Sequence, residues 1–104
     1  METPMKENLL VIVVSPKLEE EMVDWLLEKE DLSGFSSMPI DGHGSGTEEL
    51  NIAEQVTGRQ RKVMFHVYVM EETIPTLIDE LTIRFKKTGL HYWLMPVITS
   101  GRLA

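Results

Sequence analysis

The nine residues from Lys62 to Met70, KVMFHVYVM, restrict the fold of this chain more than any other segment. They are rich in β-branched and aromatic side chains and predict a strand. Successive strand residues point to opposite faces of a sheet. Here both sets are largely apolar: Val63, Phe65, Val67 and Val69 on one side, Met64, His66, Tyr68 and Met70 on the other. A second segment, Asn8 to Val14 (NLLVIVV), is a short run of leucine and β-branched residues stopped by Ser15-Pro16, which predicts a buried strand rather than a helix. A sheet containing two such strands must be covered on both faces, because large exposed apolar patches are rare on monomers.

Composition bounds what kind of chain carries these strands. A length of 104 residues suits one domain, residues 1–104, with residues 1–7 as an N-terminal arm. The 42% hydrophobic and 26% charged residues are spread along the chain, so it reads as globular rather than disordered. A net charge of -7 argues against nucleic acid as a partner, since phosphate backbones need a basic surface; a local basic patch for one small anion is still compatible with it. The absence of cysteine removes disulfides, thiolate zinc sites and cysteine nucleophiles. The apolar core near the N-terminus, Leu9 to Val14, is too short for a signal segment or a membrane span. The expected location is cytoplasmic, without membrane insertion.

The remaining elements follow from punctuation and periodicity. Ser15 suits an N-cap and Pro16 a first helical residue; beyond them Leu18, Met22, Trp25 and Leu26 fall at helical spacing, with Glu19, Glu20, Glu21, Asp24 and Glu28 available for the wet side. Ser33-Gly34 breaks this helix, and Phe35 to Ile40 reads as a strand ending at the turn pair Asp41-Gly42. Ile74, Leu77, Ile78, Leu81 and Phe85 mark a second helix, started near Thr73-Ile74-Pro75 and closed by Gly89 as the C′ residue. Leu90 to Thr99 reads as a fourth strand, which Pro96 confines to a sheet edge or a bulge. The order β-α-β-β-α-β predicts an α+β, ferredoxin-like sandwich with both helices on one face. The apolar second face then predicts a homo-oligomer whose sheets pack together.

The connector from Asp41 to Lys62 is long enough to call for an explanation of its own. Gly42, Gly44 and Gly46 permit close backbone approach and an anion-binding nest, although their spacing matches neither of the common phosphate-binding glycine patterns. Thr47-Glu48-Glu49 can begin a short helix with Leu50, Ala53 and Val56 on one face and Gly58 at its end. Arg59, Arg61 and Lys62 then place three cations within four positions; guanidinium forks suit phosphate or carboxylate. The plainer alternative is a solvated strand entry that pairs with the acidic first helix of a neighbouring subunit.

His43, His66 and His91, with Met64, Met70 and Met95, are ligand types that soft or borderline metals accept. No chelating His pair is present, so a metal site would be assembled from separate strands; methionines in strands are core filler first. His43, between glycines, is the best single candidate. Glu48, Glu49 and Glu54 lack a neighbouring nucleophile or base, and no catalytic order stands out, so the chain does not read as an enzyme.

Several of these stretches carry a resemblance. The element order, the insertion between the second and third strands and the doubly apolar sheet resemble the PII-like superfamily, trimers of ferredoxin-like subunits with sheets facing inward. Ala53 to Val69 (AEQVTGRQRKVMFHVYV) is similar to the stretch where the T-loop of PII signal proteins returns into the third strand, and Val97 to Arg102 (VITSGR) is similar to the turn that closes their nucleotide site. LSGFSSMPIDGHG with AEQVTGRQRKV looks like a family of small PII-like proteins that bacteria encode beside heavy-metal efflux pumps. The resemblance implies a trimeric regulatory binding protein with a T-loop-like insertion at 41–62. Its ligand would be an adenine nucleotide or another anion contacted by Gly42, His43, Gly44, Gly46, Arg59, Gln60, Arg61, Lys62 and Arg102, and its partner a membrane transporter. A metal-binding or metal-tolerance protein of the CutA-like kind, holding a divalent or copper ion, is the alternative. Two features depart from PII: KKTGLHYW passes from helix to strand through little more than Gly89, without a phosphate-cradling loop, and the triplet Gly58-Arg59-Gln60 lies at the end of the insertion rather than near its beginning.

Overall fold

The computed structural model describes residues 6–43 and 59–104. Strand β1 (Glu7–Val14) leads through a 3-10 turn (Pro16–Leu18) into helix α1 (Glu19–Leu27). Strands β2 (Phe35–His43) and β3 (Arg59–Met70) follow, then a 3-10 turn (Glu71–Thr73), helix α2 (Ile74–Arg84) and strand β4 (His91–Pro96). The sheet order is β2-β3-β1-β4, with every neighbouring pair antiparallel. β1 and β2 therefore run parallel with β3 inserted between them, which is the split βαβ arrangement that the element order predicted. β4 lies at an edge, as Pro96 requires.

Parity sorts the central strands onto two faces. Leu10, Ile12 and Val14 of β1 and Val63, Phe65, Val67 and Val69 of β3 form one buried cluster with Met22, Trp25 and Leu26 of α1 and Leu77, Leu81 and Phe85 at α2. The opposite parity, Leu9, Val11 and Val13 beside Met64, His66 and Tyr68, lies on the face without helices. Val11 is nevertheless only 2% exposed, because its ladder neighbours on that face are His66 and Trp93. Trp25 meets Phe85 edge to face at 5.6 Å, a geometry worth about 1 kcal/mol beyond burial, and so ties α1 to the end of α2. At the surface Lys29 pairs with Glu80 and lies over the Trp25 ring, while Arg84 and Glu21 approach to 3.6 Å. Arg84 and Glu21 are half-exposed, so that pair contributes little beside the core.

The element ends differ from expectation in instructive ways. The chain turns as a 3-10 helix over Pro16–Leu18 before α1 begins at Glu19; Ser15 has cap geometry, but its hydroxyl makes no cap hydrogen bond and its carbonyl accepts from the Leu18 amide at 3.0 Å. Glu7, expected in the N-terminal arm, opens β1. The fourth strand stops at Pro96, where the missing N–H ends the ladder, rather than at Thr99. Helix α2 ends at Arg84, so Gly89 is not its C′ residue. A six-residue connection, Phe85 to Leu90, carries the chain to β4, with Lys87 (φ 63) and Gly89 (φ 79) both left-handed. Thr88 fastens this turn by donating from Oγ1 to the Phe85 carbonyl at 2.7 Å and accepting from the Leu90 amide at 3.3 Å. Both ends of the expected connector are strand: Ile40 to His43 pair with Lys62 to Arg59, leaving only 44–58 between them. The possible helix Thr47 to Val56, with Gly44, Gly46 and Gly58, lies outside the described residues.

Two stability outcomes follow from this packing. Leu81, 1% exposed against both the sheet and α1, should cost about 2–5 kcal/mol when replaced by alanine, read as a lowered urea midpoint. Lys87→Gly should instead raise stability by up to about 1 kcal/mol, since a left-handed backbone penalises a side chain and favours glycine.

Candidate functional site

The β2–β3 pair is longer than the sheet it belongs to. β1 ends at Val14, level with Val63, whereas β3 continues back to Arg59 and stays paired with β2 as far as His43. Residues Ile40 to His43 and Arg59 to Lys62 thus form a two-stranded ribbon that projects past the end of β1. It carries the mid-chain basic run and leads into 44–58.

Register divides the expected ligand residues between the two sides of this ribbon. Asp41, His43, Arg59 and Arg61 share one side; Gly42, Gln60 and Lys62 share the other. On the first side Arg59 Nη1 donates to Asp41 Oδ2 at 3.4 Å, and both groups are about half exposed. Gln60 and Arg61 are also held by interactions of their own. Asp41 was passed over in the sequence because it reads as a turn residue; only the cross-strand diagonal makes it the partner of Arg59. On the second side the Gln60 carbonyl lies 3.4 Å, and the Lys62 Cγ 3.8 Å, from where a side chain on Gly42 would start, so glycine lets the Lys62 stem lie against the neighbouring strand.

The other predicted residues are not gathered here. β4 leaves the sheet at Pro96, and the Val97 amide donates to the Glu7 carbonyl at 3.2 Å, at the end opposite the ribbon. From Val97 the five further residues to Arg102 reach at most about 18 Å, half of the roughly 36 Å that separates that end from Arg59. Arg102 of the same chain therefore stands apart from the ribbon. The three histidines are likewise dispersed. His43 lies on the last rung, opposite Arg59, where a guanidinium opposes a metal cation, and is about 23 Å along the sheet from His66. His66 and His91 share the helix-free face but stand two strands and two residues apart, about 12 Å between backbones. Among the described residues no group of three or more His, Cys, Asp or Glu side chains is arranged to hold a metal.

What the fold does assemble is charge. Lys17 follows the end of β1, Arg59, Arg61 and Lys62 lie on the ribbon beyond it, and Lys86 and Lys87 precede β4, which starts level with Val13. Six of the ten lysines and arginines thus stand at one end of the sheet. A cleft of about 260 Å³ opens there between α2 and β4, lined by Phe85, Lys86, Lys87, Gly89, Leu90 and Tyr92 among others. The expectation that no loop precedes the fourth strand is thereby corrected: the early end of α2 at Arg84 releases six residues to form one. At the opposite end, where α1 stops and α2 starts, a cleft of about 530 Å³ is lined by Glu28, Glu30, Asp31, Glu72 and Glu80 with Lys29. An acidic protein is therefore built with one basic end.

Comparison with known proteins places this architecture. No curated protein matches the chain. Among solved structures, CPII from Thiomonas intermedia K12, described as a nitrogen regulatory PII-like protein bound to ADP, AMP and bicarbonate, superposes with a TM-score of 0.69 at 16% identity, over 94% of this chain and 97% of that one. CutA from Synechococcus elongatus PCC7942 gives a TM-score of 0.69 at 17% identity, over 94% of this chain and 81% of that one. At these identities the likeness establishes the shared PII-like, ferredoxin-like fold. A DUF3240 family protein from Shewanella baltica OS155 is more similar in sequence, 28% identical over the whole of both chains with a TM-score of 0.77. The family model described as "Protein of unknown function (DUF3240)" matches residues 5–104, and the chain belongs to that family.

Proposed function

We propose that the protein is a PII-like regulatory binding module that takes a small anion, an adenine nucleotide or a simpler oxyanion such as bicarbonate, at the basic end of its sheet. The observation that carries this reading is the convergence of Lys17, Arg59, Arg61, Lys62, Lys86 and Lys87 on that end of a chain whose net charge is -7. Such a local field attracts anions against the overall charge. The ribbon joins this end to segment 44–58, so an anion held by Arg59 and Arg61 acts directly on the base of the segment that would meet a partner protein. CPII, with the same fold, was solved with ADP, AMP and bicarbonate, which makes these the first ligands to try. The partner we favour is a membrane transporter, a metal-efflux pump by the family resemblance.

Assembly enters through the helix-free face. Tyr68, Trp93 and Met95 are each more than 40% exposed there, beside Leu9, Val13, Met38 and Met64. A contiguous apolar surface of this kind supports self-association, and we read the working form as a trimer with these faces inward. Sedimentation at micromolar concentration should give a single oligomeric species; a monodisperse monomer overturns the assembly reading.

Ligand binding is tested by thermal unfolding and calorimetry with ADP, AMP and bicarbonate. A ligand at about 100 times its Kd stabilises the native state by roughly 2.7 kcal/mol, which raises the midpoint by several degrees. The Arg59→Ala/Arg61→Ala double variant should lose that shift. Equal shifts in parent and variant, or none in the parent with any of the three, reject the proposed site.

A further inference from the structure

The helix-free face carries a second arrangement, apart from the basic end, which takes up one of the three dispersed histidines, His66, together with two methionines. In the β2–β3 ladder Met38 stands directly across from Met64, and Ser36 directly across from His66. Met38, Met64 and His66 have the parity opposite to the buried Val63, Phe65 and Val67, so all three project from the face without helices. Directly opposed residues place their Cβ atoms about 5 Å apart and diagonal ones about 7–8 Å, while alternate residues on one strand are about 7 Å apart. Two thioethers and one imidazole therefore form a triangle whose sides can each be spanned by two side chains meeting at a single ion. All three residues are partly exposed, neither sealed in the core nor wholly in water. β2 is an edge strand, which leaves the group open from one side.

The donor set selects the metal. Thioether sulfur is a soft ligand that favours Cu(I), whereas magnesium and calcium require oxygen, and zinc binds thiolate, imidazole or carboxylate. The chain has no cysteine to compete for a soft ion. The nearest cation on this face, Lys62, lays its stem beside Gly42, toward the ribbon. The geometry points to a three-coordinate Cu(I) site made by the Sδ atoms of Met38 and Met64 and a ring nitrogen of His66. Binding is simple coordination with no change of oxidation state. The site uses no residue of the basic end, so it stands or fails independently of the anion reading. Should the helix-free faces associate, the ion would lie at the β2 border of the covered surface.

The test is an anaerobic titration of the full chain with Cu(I) against a chromophoric Cu(I) chelator. The parent should retain one Cu(I) per chain. Met38→Leu and Met64→Leu should each weaken retention at least tenfold, and His66→Gln should do the same. Leucine keeps the volume of methionine, so the thermal midpoints of the leucine variants should match the parent and separate ligand loss from unfolding. Met95→Leu, a thioether elsewhere on the same face, should retain copper fully. In spectra of methionine methyl groups, Cu(I) should move the Met38 and Met64 signals and leave Met95 in place, and excess zinc should not reverse this. The proposal is overturned if the parent gives up all Cu(I) to the chelator, or if the Met38→Leu/Met64→Leu double variant holds it as tightly as the parent.

Discussion

The ladder between β1 and β3 is the constraint on which the rest of the molecule depends. Eight residue pairs, from Glu7 with Met70 to Val14 with Val63, join the two central strands, and both are largely apolar on both sides. In most antiparallel sheets a one-residue slip is prevented because it would carry polar side chains into the core. That safeguard is weak here, and side-chain shape does more of the selection. The side beneath the helices is almost entirely compact and branched, Leu10, Ile12, Val14, Val63, Val67 and Val69 around one Phe65, and it packs closely against Met22, Trp25, Leu26, Leu77 and Leu81. The longer and partly polar side chains Met64, His66 and Tyr68 go to the other face, where space is not limited by a helix layer.

Topology then converts a linear distribution of charge into a polar molecule. In a β-α-β-β-α-β chain the end of β1, the hairpin side of β3 and the start of β4 all lie at one end of the sheet, while the end of α1 and the start of α2 lie at the other. The ten lysines and arginines are scattered from Lys6 to Arg102, yet six of them fall in the first set of places. The acidic residues Glu28, Glu30, Asp31 and Glu72 fall in the second. The separation needs no contact between the groups; it follows from which ends of the elements they occupy.

Much of the architecture was legible in the sequence because it rests on local rules. Continuous apolar runs rich in β-branched residues announced the central strands, 3.6-residue spacing announced the helix faces, and Pro96 announced an edge. Element ends were less legible, since they depend on competition that periodicity does not record. Gly89 looked like a helix stop, but Phe85 is drawn into the core against Trp25 and the chain leaves α2 at Arg84, so the glycine serves the following turn instead. The candidate site was legible as residue types and illegible as geometry. His43 and Arg59 are sixteen positions apart and share a rung, while Arg102 belongs to the far end of the sheet and cannot join them within one chain.

The sequence by itself determined the number and order of the strands and helices, the amphipathic faces of the helices and the presence of a basic run in an acidic chain, because hydrophobic periodicity and turn chemistry act over a few neighbouring residues. Only the tertiary structure decided which residues meet. Cross-strand register placed Asp41 beside Arg59 and Met38 beside Met64, and the paths of the helices brought Lys86 and Lys87 to the end of the sheet that carries the ribbon. These juxtapositions depend on packing a whole helix layer against one face of the sheet, a condition that no short window of sequence contains.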